Sequence, residues 1–208
     1  MRVTNAYSST IEFTEARYAG VLAGKVEGDI VNCSAELNDV TLLNSCTTLT
    51  GTMYLGGMAG YCGGNIRNSA VYAASGYSLS VGFTQASANS YLGGLAGTVT
   101  GNSVNNCYTR VTRLSNGTSA NPPSTGVLAG DYPAGVFSNC HYITGCTIEN
   151  CTEKSPAGIA TEEADFSTLG GALNAVAQAN DWATWTEEID GTTSNVTSVY
   201  LFKYRNKN

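Results

Sequence analysis

One short phrase occurs four times in this chain. Gly20-Val-Leu-Ala-Gly24, Gly56-Gly-Met-Ala-Gly60, Gly93-Gly-Leu-Ala-Gly97 and Gly126-Val-Leu-Ala-Gly130 each read Gly, any residue, Leu or Met, Ala, Gly. Their final glycines, at 24, 60, 97 and 130, are separated by 36, 37 and 33 residues. A period of that length belongs to arrays of stacked units, each too small to bury its own apolar face. The fold must therefore be one in which neighbouring units share a core.

A second phrase recurs in the same frame: an apolar residue, any residue, Asn, then Cys or Ser. It reads Ile30-Val-Asn32-Cys33, Ile66-Arg-Asn68-Ser69, Val104-Asn-Asn106-Cys107 and Phe137-Ser-Asn139-Cys140, with Gly28, Gly64, Gly101 and Gly135 between the two halves. Extra copies stand at Leu42-Leu-Asn44-Ser45 and Ile148-Glu-Asn150-Cys151. After the Asn, alternate residues are small or apolar: Cys33, Ala35, Leu37; Ser69, Val71, Ala73; Cys107, Thr109, Val111. That is the period of a strand with one buried face. The apolar residue ahead of the Asn has the opposite parity, so the inward set changes phase there. A corner does this, and Asn tolerates the left-handed backbone that corners need. The pattern predicts an all-β fold, a parallel β-helix or β-solenoid of about four repeats. A meander of hairpins is the alternative, and one or two coils per repeat are both compatible with the period.

Over residues 18 to 151 these phrases resemble the GLUG motif, a short bacterial repeat of immunoglobulin A protease-like peptidases and of large surface proteins of gut bacteria. The second repeat departs with Ser69 in the Cys position. The fourth has Ser124 where Tyr18, Tyr54 and Tyr91 precede the phrase elsewhere. The resemblance implies a structural unit outside any catalytic machinery, and it carries no catalytic residue with it.

Outside the repeats, Thr10–Glu15 alternates and is expected to lay a first strand under repeat one, while residues 38–52 and 74–90 read as polar returns. Leu114–Thr125, with Pro122 and Pro123, reads as the clearest loop. The language changes near Pro156, which divides a repeat domain (1–156) from a C-terminal segment (157–208). There Phe166, Leu169, Leu173 and Val176 form a helical stripe, with Thr161-Glu-Glu or Ser167 placed to cap its start. Trp182 and Trp185 follow, and Val196–Tyr204 alternates as a strand. Helix, tryptophans and strand together are expected to cap the open end of the solenoid.

With only 12% charged residues and a net charge of -6, the chain is a poor partner for nucleic acid. No run of 18 apolar residues offers a membrane span. No apolar h-region follows Met1, so an exported form is expected to be a mature or excised piece. Of seven cysteines, Cys33, Cys107, Cys140 and Cys151 occupy the repeat slot that Ser69 also fills, which favours a column of small buried side chains. Disulfides among Cys46, Cys62 and Cys146, or between columns, are the alternative. The spacing from Cys140 to Cys146 to Cys151, with His141 the only His, does not suit a metal site.

The acids Glu27, Asp29, Glu36, Asp39, Asp131 and Glu149 share no repeat slot, and no hydrolase or phosphate-cradling motif occurs. His141 reads as a lone outward side chain and Asp29 as a solvated loop acid. The candidates for binding are Tyr72, Tyr108 and Arg110, outward on one strand face, where tyrosine rings suit glycan or protein contacts. The expected function is a non-catalytic, extracellular or cell-surface repeat module of a bacterium, adhesin-like or a binding or stalk segment, monomeric within a larger chain. Its expected partners are a glycan or a host matrix protein, with no cofactor or metal. The alternative, drawn from fold analogy, is a β-helix polysaccharide lyase or hydrolase.

Overall fold

A computed structural model describes residues 2–5, 9–14, 16–45, 48, 50–73, 76–143, 145–154, 161–163, 166–188 and 199–203. Two leading strands are β1 (Arg2–Asn5) and β2 (Ser9–Phe13). The first full coil is β3 (Tyr18–Ala19), β4 (Ala23–Val26), β5 (Ile30–Val31), β6 (Ser34–Leu37) and β7 (Val40–Asn44). The second is β8 (Tyr54–Gly56), β9 (Ala59–Cys62), β10 (Ile66–Arg67), β11 (Ala70–Tyr72) and β12 (Leu79–Phe83). The third is β13 (Tyr91–Gly93), β14 (Ala96–Val99), β15 (Val104–Asn105), β16 (Tyr108–Arg110) and β17 (Arg113–Asn116). The fourth is β18 (Ser124–Gly126), β19 (Ala129–Asp131), β20 (Phe137–Ser138), β21 (His141–Ile143) and β22 (Thr147–Glu149). Beyond it come β23 (Thr152–Glu153), β24 (Thr161–Glu163), helix α1 (Phe166–Ala179), β25 (Thr184–Glu188) and β26 (Val199–Lys203).

Each coil gives one strand to each of five parallel sheets, ordered β23-β18-β13-β8-β3, β19-β14-β9-β4, β20-β15-β10-β5, β1-β6-β11-β16-β21-β24 and β2-β7-β12-β17-β22. The molecule is a parallel β-solenoid, and one repeat makes one coil. Pairing is parallel throughout the coils, so the hairpin meander is ruled out. The register stacks like on like: Ala23, Ala59, Ala96 and Ala129 form one column, and Ile30, Ile66, Val104 and Phe137 another. Leu55, Met58, Val71, Val81, Leu92 and Leu95 fill the interior at 1% exposure or less.

The glycine phrase is explained by space rather than by backbone conformation. A Cβ on Gly20 would lie 2.6 Å from Ala59 Cα, and one on Gly56 would lie 2.5 Å from Ala96 Cα. Gly93 repeats the relation against Ala129 Cα at 2.8 Å and would also collide with the Ala96 carbonyl. The first Gly of each of the first three phrases thus lies against the Ala of the next coil, where no side chain fits.

Backbone conformation decides the asparagines. Asn32, Asn68, Asn106 and Asn139 have φ of 53°, 48°, 57° and 45°, the left-handed corner expected from the phase change. Their side chains form a ladder across the coils. Asn68 Nδ2 donates to Asn32 Oδ1 at 2.6 Å, Asn106 Nδ2 to Asn68 Oδ1 at 2.7 Å, and Asn139 Nδ2 to Asn106 Oδ1 at 2.6 Å.

Several local expectations are corrected. The returns at 38–52 and 74–90 contain β7 and β12, whose Val40, Leu42, Leu79, Val81 and Phe83 are buried, because a five-residue strand suffices for one wall of a coil. The loop 114–125 is shorter, since Leu114 to Asn116 belong to β17 and Ser124 and Thr125 to β18. Thr161–Glu163 pairs with β21 as β24, and Ser167 is the second residue of α1. The strand expected under repeat one is β2, paired with β7. The strand expected at 196–204 is β26 over its described part, antiparallel to β25.

The largest correction concerns the cap. The C-terminal segment lies along the flank of the solenoid rather than across its end. Asn139 Nδ2 donates to Ala172 O at 3.4 Å and Asn106 Nδ2 to Leu173 O at 3.0 Å. Asn68 Nδ2 donates to Ala183 O at 2.7 Å, and Ala183 N–H to Asn32 Oδ1 at 3.3 Å. The segment therefore runs from the fourth coil back to the first, held by the spare hydrogen-bonding capacity of the corner amides.

Asn68→Ala removes the bonds to Asn32, Asn106, Ala183 and Trp185 Nε1 and leaves a left-handed Ala, so chemical denaturation should show a loss of about 3 kcal/mol. Gly93→Ala should cost about 2–3 kcal/mol by overpacking. Gly171→Ala, where a helical Cβ meets nothing within 4 Å, should instead gain up to about 1 kcal/mol in the same assay.

Candidate functional site

Tyr72, Tyr108 and Arg110 do lie on the outer face of their sheet, opposite in phase to the core residues Val71, Cys107 and Val111. They are not open to a ligand. Tyr72 and Tyr108 are each 1% exposed, packed with Ala70, Leu169, Leu173, Ala177 and Trp185 in a second apolar cluster beneath α1. Their rings lie 6.5 Å apart and tilted by 35°. Arg110 is partly buried, donates from Nη1 to Ala73 O at 3.1 Å, and has its pKa lowered by desolvation. The structure thus corrects the expected binding face into an internal interface. His141, expected outward and alone, is likewise buried, with Nε2 3.2 Å from Asn139 Oδ1.

A different set of aromatics stays partly exposed. Tyr18, Tyr54 and Tyr91 are register partners at the start of the glycine phrase in successive coils. Tyr18 and Tyr54 stack with centroids 5.0 Å apart at 13°, and Tyr54 and Tyr91 at 5.5 Å and 27°. Tyr61 meets Tyr18 and Tyr54 edge-on at 6.1 and 6.2 Å, and its hydroxyl lies 3.0 Å from Thr100 Oγ1. Lys25 Nζ sits 5.8 and 5.2 Å from the Tyr18 and Tyr61 centroids, a cation over aromatic rings. Its hydrogen bond to Glu27, the pair 2.5 Å apart, raises the Lys25 pKa. Burial, followed by the neighbouring phenols, raises that of Tyr54. The sequence signal for this strip was the aromatic that precedes each of the first three phrases.

Charged side chains bridge coils. Arg67 Nη1 lies 2.8 Å from Asp29 Oδ2, Arg113 Nη2 2.6 Å from Glu149 Oε2, and Lys154 Nζ 2.7 Å from Asp131 Oδ1. Asp29 is more than a solvated acid. The Asn65 backbone N–H at 2.8 Å, then the Asn65 amide and Arg67, hold its carboxyl below the usual range. Among the described residues no three His, Cys, Asp or Glu side chains come together as metal donors. Among those residues no helix is long and apolar enough to cross a membrane.

The cysteine slot is a column of free thiols. Cys33, Cys62, Cys107, Cys140, Cys146 and Cys151 are unpaired with one another, and Cys46 lies outside the described residues. Each slot residue donates to the carbonyl two residues earlier: Cys33 to Val31 at 3.3 Å, Ser69 to Arg67 at 2.8 Å, Cys107 to Asn105 at 3.3 Å, Cys140 to Ser138 at 3.3 Å. Ser fits among them because it makes the same bond.

The class this geometry defines is a parallel β-solenoid with a C-terminal segment docked on its flank and a tyrosine strip on another wall. No protein-family model, curated protein or solved structure matches the chain.

Burial pushes the Cys62 thiol up to about 11 and the Cys146 thiol up to about 12, from an ordinary 9.0. A thiol held neutral in the fold contributes stability that is intact below pH 9 and is lost as pH rises from 9 through 11 and 12. The double variant Cys62→Ala, Cys146→Ala should accordingly lose less stability between pH 9 and 11 than the parent, read as the urea midpoint at each pH. In the native parent at pH 8, a thiol reagent should leave Cys62, Cys107 and Cys140 unmodified until denaturant is added.

Proposed function

We propose that this chain is a non-catalytic binding segment, displayed extracellularly or on the surface of a bacterium, with a glycan or matrix protein as its partner. The observation that carries this reading is the division of the surface. Three acidic side chains are tied to cations across coils, Asp29 to Arg67, Glu149 to Arg113 and Asp131 to Lys154, while a strip of partly exposed tyrosines stays on one wall. Tyrosines present contact area with little entropy to lose, which suits adhesion. Carboxylates neutralised by a neighbour are poorly placed as the free acid and base of a glycosidase. The resemblance of the repeats to GLUG motifs supports the surface setting.

The test is incubation of the purified chain with a panel of immobilised polysaccharides and matrix proteins, scored for retention and for new reducing ends. Retention without new reducing ends is expected, weakened at least about tenfold by the double variant Tyr54→Ala, Tyr91→Ala. Release of reducing ends or of unsaturated products would replace this reading with the enzyme.

A further inference from the structure

The tyrosine ladder stops one coil early. Tyr91 has Tyr54 stacked on one face at 5.5 Å, and on its other side its register partner is Ser124, too short to cover a phenol ring. Ser124 Oγ–H donates to Gly130 O at 2.8 Å, which leaves its oxygen able to accept. The next residue after Gly130 is Asp131, and Lys154 N–H donates to Thr125 O at 2.6 Å beside Ser124. The Asp131–Lys154 ion pair therefore joins the fourth coil to the strand stacked beyond it, beside Ser124, with its side chains 43% and 35% exposed.

We propose that a single pyranose ring of a neutral glycan binds here, stacked on the outer face of Tyr91 at the level of the fourth coil. Coils are spaced by about 4.8 Å, within the range of centroid separations at which rings pack in an offset stack. A pyranose offers a C–H face to the tyrosine and a rim of hydroxyls to Ser124, Asp131 and Lys154. An aromatic side chain from a partner protein would use the ring face and leave the charged pair and the hydroxyl unused. Tyr54 has both faces covered, by Tyr18 and Tyr91, and Tyr18 at the opposite end has Lys25 over its ring and Tyr61 at its edge, which is why the pyranose goes to the Tyr91 end of the stack. This inference rests on the reading of the chain as a non-catalytic binding segment, and names its ligand class and position.

The experiment is an NMR titration of the full chain with methyl glycosides of glucose, galactose, mannose and N-acetylglucosamine and with their short oligomers. Each ligand is checked afterwards for hydrolysis. At least one sugar is expected to shift the amides of Ser124 and Asp131 in a saturable way. Ser124→Tyr, which extends the ladder into the proposed position, should weaken that binding by more than about tenfold while keeping the thermal midpoint of the parent. Tyr91→Ala and Asp131→Asn should each weaken it by about tenfold, and Tyr18→Ala should leave it unchanged. Binding untouched by Ser124→Tyr and Tyr91→Ala, or no saturable shift with any sugar, would overturn the site and leave the non-catalytic reading standing. Hydrolysed ligand would overturn that reading itself.

Discussion

The structure depends on one repeated hydrogen bond, the side-chain amide of one corner asparagine donating to the carbonyl of the corner in the neighbouring coil. Asn32, Asn68, Asn106 and Asn139 turn the chain in a backbone conformation that other side chains resist, and they join coil to coil at 2.6–2.7 Å. The same four amides meet the C-terminal segment through Ala172, Leu173 and Ala183. Corner, stacking and flank docking are three uses of one side chain. Asn68 and Asn106 are fully buried, so a replacement would strand polar groups in a dry interior.

Register explains much of the remaining chemistry. Because each residue meets its counterpart one coil away, the glycine and alanine of the phrase can be packed backbone against backbone. For the same reason three cation–acid pairs, such as Arg113 with Glu149, form across coils, while Lys25 and Glu27 pair within one. Pairs this exposed contribute little each to stability. Their effect is to neutralise carboxylates that the sequence leaves scattered.

The architecture was legible to the extent that it is local. The parity change at each Asn gave the corner, and the alternation after it separated Val71 and Val111 from Tyr72 and Tyr108 correctly. What alternation cannot report is what covers the outer face. Tyr72 and Tyr108 point away from the solenoid core and are still buried, because residues 61 to 113 positions further along the chain, Leu169, Leu173 and Trp185, lie on them. The true surface strip was written in the sequence as Tyr18, Tyr54 and Tyr91. It was read as part of a phrase, since stacking between coils becomes visible only once the register is known. The β7 and β12 walls were missed because Thr, Ser and Asn around them masked a five-residue strand.

The path of the flank segment has a mechanical consequence. Arg2 opens the first sheet strand beside Ser34 in the first coil, and β26 leaves at Lys203 beside Thr184, next to the Ala183 that touches Asn32 of that same coil. Entry and exit of the described chain lie at one pole of the solenoid. Tension between them would act across that pole, on β1 and the docked β25, and would not pull along the stack of coils. In a longer polypeptide such a unit would stand out sideways from the line of force, as a pendant and not as a link.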